Sequence, residues 1–455
     1  RERKEHDVDD VNDQDLRADE VNAQVAVQQL PAAVDTVGIG ASCELVPAVY
    51  RLPKALQQVF QSLFVKLAKL IITSSQARTS TDLQMRAFMA LPALVFGVAG
   101  QREVRRAKGL LKDIDQSQDL VLSVLREATR LSTDRVTSRW GLRGTEGTPR
   151  LPKSKVIELV EAGLPEKAVA RLEGHLEGGV VDLSEAARLQ VLQLHPQAAT
   201  YLPVANPIPV AERAAVSPGE LAEVLDQTPR LSASGQSGWT YELIRAVTTD
   251  DEPKSKAAEL FTLMTKGTLE MPQAWLSSRL VLLPKSGGGV RPLAIGESWT
   301  RLASRIMAKR TVTIASNRLQ PLQFGIGVKG GVEIAAHLVQ TAARVALQED
   351  PEFVVQTVDF ANAFNCVSRM AIHEQVATHL PELLPYFRWA YGGPAPLYFG
   401  NRFVVNASSG VRQGDPLGPL LFSMALQPVL LNMRERFARV DVVAYLDDVF
   451  LMGKR

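Results

Sequence analysis

The stretch Val442-Val-Ala-Tyr445-Leu-Asp447-Asp448-Val-Phe-Leu451 places two adjacent acids between two short apolar runs. Neighbouring side chains on a regular strand point to opposite faces, so both carboxylates reach one site only if the pair lies in a turn. We therefore predict a β-hairpin with Asp447 and Asp448 at its tip. A solvated turn without chemistry is the alternative, because Asp is common in turns.

A third acid follows another strand-like run. Residues Phe353 to Val358 are rich in β-branched side chains and deliver Asp359 at their end. Asp359 alone is compatible with a simple helix cap. Together with Asp447 and Asp448 it supplies the carboxylate oxygens that Mg²⁺ prefers. Because two such ions can hold the attacking and leaving oxygens of nucleotidyl transfer, we predict all three acids as metal ligands and catalytic residues.

A loop between these acids is rich in turn-forming residues. It reads Ser408-Ser-Gly410-Val-Arg-Gln413-Gly414-Asp-Pro416 and precedes an apolar helix expected over Pro416 to Phe437. Glycine permits close backbone approach and proline ends a preceding element. The loop is therefore predicted to face a ligand.

Two further hairpins are expected. Ser278 to Pro284 is typical of a strand, a Gly-rich turn follows, and Arg291 to Ile295 is typical of the returning strand. Tyr391 to Val405 should form the other hairpin. Ser298 is predicted to cap a helix that ends near Leu319.

The segment around that helix is strongly basic. It holds Arg279, Lys285, Arg291, Arg301, Arg305, Lys309, Arg310 and Arg318 against the single acid Glu297. Arg301, Arg305 and Lys309 recur at every fourth position and should share one helix face. Such a face is suited to the phosphates of a nucleic acid, although a solvated basic face is the plain alternative.

The first half of the chain is predicted to be mainly helical. Apolar residues from Phe60 to Ile71 have helical spacing, and a second run at Met85 to Met89 should stop before Pro92. Further helical patterns span Asp119–Leu131, Lys155–Leu172 and Ser184–Leu194, with Asp182 and Glu185 in capping-box spacing.

Four regions are expected along the chain. They are an acidic, disordered head at 1–45, a basic helical region at 46–195, a Pro-rich linker at 196–218 and an α+β region at 219–455. The linker is assigned from its five prolines, which cannot lie inside a helix or a central strand.

The composition excludes several classes of protein. With 455 residues, 46% hydrophobic, 22% charged and a net charge of +2, the chain is a globular protein of two or three domains. Cys43 and Cys366 alone make neither a disulfide framework nor a zinc cluster. Uncharged stretches are too short to cross a bilayer, and the acidic head is unlike a signal peptide. We therefore expect an intracellular protein, nuclear or cytoplasmic, not secreted and with no membrane contact.

The motifs and their order resemble those of reverse transcriptases, especially of non-long-terminal-repeat retrotransposons. The resemblance covers about Val210 to Arg455. Gly235-Gln-Ser-Gly238 looks like the entry to the fingers, although Ser237 stands where relatives often have Asp. The motifs are Leu283-Pro-Lys285 through Arg291-Pro-Leu293, Gln323-Phe-Gly325, Asp359-Phe-Ala-Asn-Ala-Phe364, Gly410-Val-Arg-Gln413-Gly-Asp-Pro416 and Tyr445-Leu-Asp-Asp448.

The resemblance implies an α+β fold, with right-hand polymerase fingers and palm built from a small antiparallel sheet packed on helices and preceded by a mainly helical region. It implies RNA-directed DNA polymerase activity on an RNA template and a DNA primer, with dNTPs and two Mg²⁺ ions, Mn²⁺ being possible. Asp359 and Asp447 would be the principal metal ligands, and Asp448 would contribute less directly.

The resemblance also implies roles at the nucleotide. Phe364 would be a steric gate against the ribose 2′-hydroxyl. Lys285 and Arg291 would reach the triphosphate, as a point charge and a bidentate fork. Gln413 and Gly414 would line the floor beneath the template and the new base pair. Phe364 as ordinary core and Lys285 as an exposed hairpin charge are the simpler alternatives.

Two other functions remain open at this point. The chain stops soon after Asp448, where the family's thumb would follow, so an inactive, truncated or domesticated nucleic-acid-binding relative is one alternative. An RNA-dependent RNA polymerase is the other, but Phe364 and the Gly410-Val-Arg-Gln413 pattern argue against it. The sequence indicates no protein partner.

Overall fold

The computed structural model describes residues 52–95, 101–140, 182–197, 202, 215–270, 275–285, 288–349, 352–400 and 402–454. The predicted acidic head, the predicted helix Lys155–Leu172 and most of the predicted linker lie outside these residues. The described helices are α1 (Lys54–Gln76), α2 (Asp82–Val95), α3 (Gln101–Asp115), α4 (Leu120–Trp140), α5 (Glu185–Leu194), α6 (Pro218–Asp226), α7 (Tyr241–Val247), α8 (Asp251–Thr265), α9 (Ser298–Leu319), α10 (Gly331–Glu349), α11 (Ala363–Cys366), α12 (Arg369–His379), α13 (Leu384–Tyr391) and α14 (Gly418–Arg436).

Seven described strands form two sheets. They are β1 (Ser278–Pro284), β2 (Val290–Gly296), β3 (Phe353–Val358), β4 (Ala395–Phe399), β5 (Arg402–Ala407), β6 (Val440–Tyr445) and β7 (Asp448–Lys454). The larger sheet has the order β2-β1-β4-β5, in which two antiparallel hairpins join through a parallel contact between β1 and β4. The smaller, antiparallel sheet has the order β3-β7-β6. All three predicted hairpins are confirmed, and the fold is the predicted α+β class.

The small sheet is covered on both faces because its strands alternate apolar side chains. On one face, Phe422 and Leu426 of α14 pack with Val442 and Ala444 of the sheet. On the other, the buried Ala335 of α10 packs with Val443 and Met452. A sheet held between two helices gives rigid strand ends, and the predicted catalytic acids lie at these ends.

The N-terminal helices share one hydrophobic core with the residues that follow the predicted linker. Phe64 of α1 stacks on Trp299 of α9 with ring centroids 5.9 Å apart, and Phe88 of α2 meets the same indole at 5.2 Å. Phe60 approaches Trp239 at 6.1 Å. The described helices of the predicted region 46–195 therefore pack directly against the α+β region. The boundary at 196–218 stays a prediction.

Helix α1 is the single described helix whose length and composition would suit a membrane span. In the folded chain, 56% of its apolar window is buried, and Phe60 and Phe64 have no exposed surface. Its apolar side chains are accounted for by the aromatic core.

Three local predictions are corrected by the structure. Helix α2 continues through Pro92 to Val95. Pro92 cannot donate to the carbonyl of Phe88, four residues earlier, but the indole Nε1 of Trp239 donates to that oxygen at 3.1 Å. The cap of α5 is Ser184, whose side chain accepts from the amide of Ala187, and not Asp182. Glu297 precedes α9, because the Ser298 hydroxyl donates to the carbonyl of Trp239.

Candidate active site

The hairpin register brings the three predicted acids to adjacent strand ends. Tyr445 of β6 pairs with Asp448 of β7, which leaves Leu446 and Asp447 as the turn, with Leu446 at φ 55°. Val358 of β3 pairs with Val449. Asp359, one residue beyond Val358, therefore lies beside Asp448, one residue before Val449.

The electrostatics agree with this proximity. The pKa of Asp448 is raised by partial burial of its carboxyl group and by the negative charges of Asp447 and Asp359. Asp359 and Asp448 are exposed, whereas Asp447 is half-buried. Three mutually repelling carboxylates at an open surface are stabilised by a cation.

The donor set fits magnesium better than a closed metal cage. Among the described residues, no group of three or more His, Cys, Asp or Glu side chains forms a ready-made metal-binding cluster. Mg²⁺ binds through one or two carboxylates and keeps waters or substrate phosphates as its other ligands. Asp359, Asp447 and Asp448 offer oxygen ligands at an exposed edge and so fit that mode of binding.

A buried glutamine holds the acidic turn in place. The Gln323 side chain is fully buried; its Oε1 accepts from the amide of Leu446 at 2.6 Å, and its Nε2 donates to the carbonyl of Leu446 at 3.1 Å. The amide of Phe324 donates to the carbonyl of Ala444 at 2.8 Å. A side chain at Gly325 would meet Leu446 Cδ2 at 2.5 Å. The Gln323-Phe-Gly325 motif thus supports the hairpin that carries Asp447.

The turn that carries Phe364 is docked on the loop at Gly410. The amide of Gly410 donates to the carbonyl of Val367 at 3.1 Å. A Cβ atom at Gly410 would lie 2.3 Å from the carbonyl oxygen of Phe364, and Gly410 has φ 62°. Only glycine suits this approach. The Phe364 ring is half-buried and stacks on Phe422, with centroids 4.9 Å apart.

Arg369 joins the segments around that loop. Its buried guanidinium donates to four backbone carbonyls, those of Gly410 at 2.9 Å, Tyr391 at 3.0 Å, Gly393 at 2.9 Å and Ala407 at 2.8 Å. It also lies 5.3 Å from the centroid of the Tyr391 ring. Nothing in the sequence pattern indicated this residue, because an isolated arginine after a turn has no spacing signal.

The base of the loop is fixed by a buried acid. The hydroxyl of Tyr391 donates to Asp415 Oδ2 at 2.6 Å, and Arg412 Nη2 reaches the same oxygen at 3.3 Å. Burial raises the pKa of Tyr391, and the charge of Asp415 raises it further. Asp415 Oδ1 also accepts from the amide of Leu417 at 3.0 Å. The residues that flank Gln413 are therefore held rigidly.

The predicted nucleotide-binding residues lie at accessible positions. Lys285 and Arg291 are exposed on the β1–β2 hairpin, and Gln413 is half-buried. Gly414 is exposed with φ 98°, and a Cβ atom there would lie 2.9 Å from the carbonyl oxygen of Ala294 in β2. The loop and the β1–β2 hairpin therefore touch at Gly414.

The predicted cationic face on α9 is largely engaged within the protein. Arg301 Nη2 donates to the carbonyl of Ala233 at 2.6 Å, and its guanidinium lies 5.1 Å from the Tyr241 ring centroid. Lys309 is ion-paired with Glu223, and Arg305 is half-buried. The helix does not present an open basic face, and its contact with nucleic acid stays a prediction.

Comparison with known proteins gives the class of the domain. Residues 283–455 match the family described as reverse transcriptase (RNA-dependent DNA polymerase), and they form a domain of that family. This family implies dependence on divalent metal and the use of an RNA template, a primer and dNTPs.

The relatives narrow the class to reverse transcriptases of the non-long-terminal-repeat retrotransposon type. The chain is 29% identical over 228 residues to the retrotransposable element SLACS 132 kDa protein of Trypanosoma brucei gambiense, covering 48% of this chain and 19% of the relative. It is 26% identical over 244 residues to the Pol polyprotein of retrotransposable element R2 from Popillia japonica, covering 49% and 32%. The matches thus span only a fifth to a third of these relatives.

Proposed function

We propose that the protein is an RNA-directed DNA polymerase of a retroelement, which adds dNTPs to a primer by two-metal nucleotidyl transfer. The main support is the register of β3, β7 and β6, in which Asp359 and Asp448 are neighbours and Asp447 lies in the connecting turn. The match of residues 283–455 to reverse transcriptases agrees with this assignment.

In the proposed reaction, Asp359 and Asp447 bind the divalent cations, and Asp448 adds negative charge at the same edge. When bound, two Mg²⁺ ions, or Mn²⁺ ions, would stabilise the attacking 3′-oxygen and the leaving pyrophosphate oxygens. The raised pKa of Asp448, caused by partial burial and the neighbouring carboxylates, is consistent with a site designed for a cation.

The nucleotide is bound by residues around these acids. Lys285 and Arg291 on the β1–β2 hairpin neutralise the triphosphate, and Gln413 and Gly414 support the template and new base pair. The Phe364 ring, stacked on Phe422, lies where a ribose 2′-hydroxyl is to be excluded. Selection of deoxynucleotides follows from that wall.

The decisive experiment is primer extension by the full chain on an RNA template with a DNA primer. We expect incorporation of dNTPs that requires Mg²⁺ or Mn²⁺ and is abolished by EDTA. Incorporation of rNTPs with equal efficiency would instead support an RNA-dependent RNA polymerase. Tight binding of the primer–template without any incorporation would support an inert nucleic-acid-binding relative.

A further inference from the structure

A short N-terminal segment contacts three parts of the proposed nucleotide site. We call residues 185–197, which comprise α5 and the three residues after it, the strap. The buried Ala187 and Val191 of α5 pack in the core of the β2-β1-β4-β5 sheet, with Leu280, Leu282 and Val290 among their neighbours. The strap is therefore a fixed layer on that sheet.

The first contact is with the tip of the β1–β2 hairpin. Gln190 Oε1 accepts from the amide of Val290 at 3.0 Å. The same oxygen lies 3.1 Å from the Cβ position of Gly289, whose carbonyl accepts from the amide of Lys285. Gln190 thus supports the turn between Lys285 and Arg291.

The second contact is with the turn that follows Asp359. The carbonyl of Leu194 accepts from Asn362 Nδ2 at 2.6 Å and from Asn365 Nδ2 at 3.0 Å. Asn365 Nδ2 also donates to Asn362 Oδ1 at 2.9 Å. Asn362 has φ 57°, a conformation that asparagine tolerates when its side chain is bonded locally. These bonds hold the turn between Asp359 and Phe364.

The third contact is with β5 and the loop after it. Gln197 Nε2 donates to the carbonyl of Asn406 at 3.0 Å, and Gln197 Oε1 accepts from the Ser408 hydroxyl at 3.2 Å. Between these contacts the buried His195 ring donates from Nδ1 to the carbonyl of Val191 at 2.8 Å, which fixes the end of α5.

We propose that the strap is a positioning element for the incoming nucleotide. It rests on the proposed function, and it gives a role to part of the helical region that the sequence left without one. The strap holds the triphosphate hairpin, the turn with the steric gate and the approach to Gln413 at fixed separations. Gln190, Gln197 and the Leu194 carbonyl act through these elements and do not take part in the chemistry.

The test uses single substitutions in the full chain, with a control from the same helix. Gln190→Ala and Gln197→Ala each remove side-chain hydrogen bonds to one side of the site. Gln193→Ala removes the same side chain from an exposed position of α5. We expect both strap variants to raise the KM for dNTP about three- to tenfold, the effect of one or two lost hydrogen bonds, with kcat nearly unchanged. Gln193→Ala should match the wild type.

Two results would overturn the proposal. If the KM is unchanged in both variants while thermal unfolding shifts, the strap is only structural. If the KM falls, the strap obstructs the site instead of supporting it.

A binding measurement separates this proposal from the polymerase assignment. Fluorescence anisotropy with a labelled dNTP and Mg²⁺ reports affinity whether or not the primer is extended. Loss of affinity in Gln190→Ala and Gln197→Ala, with none in Gln193→Ala, supports the strap even if the wild type extends no primer. Equal affinity in all four proteins contradicts it even if the wild type is an active polymerase.

Discussion

The amide of Val411 donates a 2.7 Å hydrogen bond to the carbonyl of Phe364. Two motifs that are distant in the chain therefore share a backbone contact, and the gate residue is held by the loop that precedes Gln413. The adjacent Gly410 packs so closely on the same turn that a side chain has no room.

Gly410→Ala is expected to destabilise the fold strongly. The φ of 62° and the overlap with the Phe364 carbonyl should together cost at least about 3 kcal/mol in the free energy of unfolding. Gly393→Ala is the control, because no atom lies within 4 Å of its Cβ position. Urea unfolding of both variants checks this, and equal stability of the two would contradict the close docking.

Asp447→Asn should abolish polymerisation without unfolding the protein. Removal of a metal ligand is expected to reduce incorporation by at least about a hundredfold, because the change eliminates a carboxylate that the proposed cations need. Asp441→Asn neutralises an exposed acid on strand β6 of the same hairpin and should retain activity. Primer extension with circular dichroism measures both effects. Full activity of Asp447→Asn would show that the metal assignment is wrong.

Phe364→Val should weaken the exclusion of ribonucleotides. The shorter side chain leaves space beside the sugar, so the efficiency with rNTP relative to dNTP is expected to rise about tenfold or more. Phe422→Leu alters the other ring of the same stack and serves as the control for lost packing. Single-nucleotide incorporation gives the ratio. An equal change in both variants would assign selectivity to general loosening.

Arg369→Met should be costly because it leaves four buried carbonyls without their donor. We expect a loss of about 3 kcal/mol or more in the free energy of unfolding. Arg369→Lys should restore only part of it, since an ammonium group cannot reproduce the planar fork. Arg434→Met, at an exposed position of α14, is expected to be nearly neutral. Chemical denaturation of the three variants checks the order.

Glu297 should make stability depend on pH. Burial raises its pKa above the ordinary value of 4.5, against the opposing effect of the Ser237 hydrogen bonds. The folded state then holds the proton more tightly than the unfolded state, so this contribution is full below pH 4.5 and is lost as pH rises through the folded pKa. The stability of the wild type minus that of Glu297→Gln should therefore decrease with rising pH. A pH series of urea unfolding measures this difference, and a flat or rising difference would refute the raised pKa.

Local patterns predicted much of the site because its acids follow regular strands. The alternation around Asp447 and the run before Asp359 fix strand ends, and the two hairpins of the larger sheet follow from turn residues. Gln323, Arg369 and Leu194 act through buried hydrogen bonds to distant backbone groups. No spacing rule reports such partners, so their roles required coordinates. The continuation of α2 past Pro92 depended in the same way on the indole of Trp239.

The aromatic cluster of Phe64, Phe88, Trp239 and Trp299 has a practical consequence. The family match begins at Leu283, inside strand β1, whereas half of the rings that enclose Trp299 come from α1 and α2. Expressing only the recognisable segment would sever a strand and leave a bare indole surface prone to self-association. What heredity preserves as a module and what can stand alone in water are here two different lengths of polypeptide.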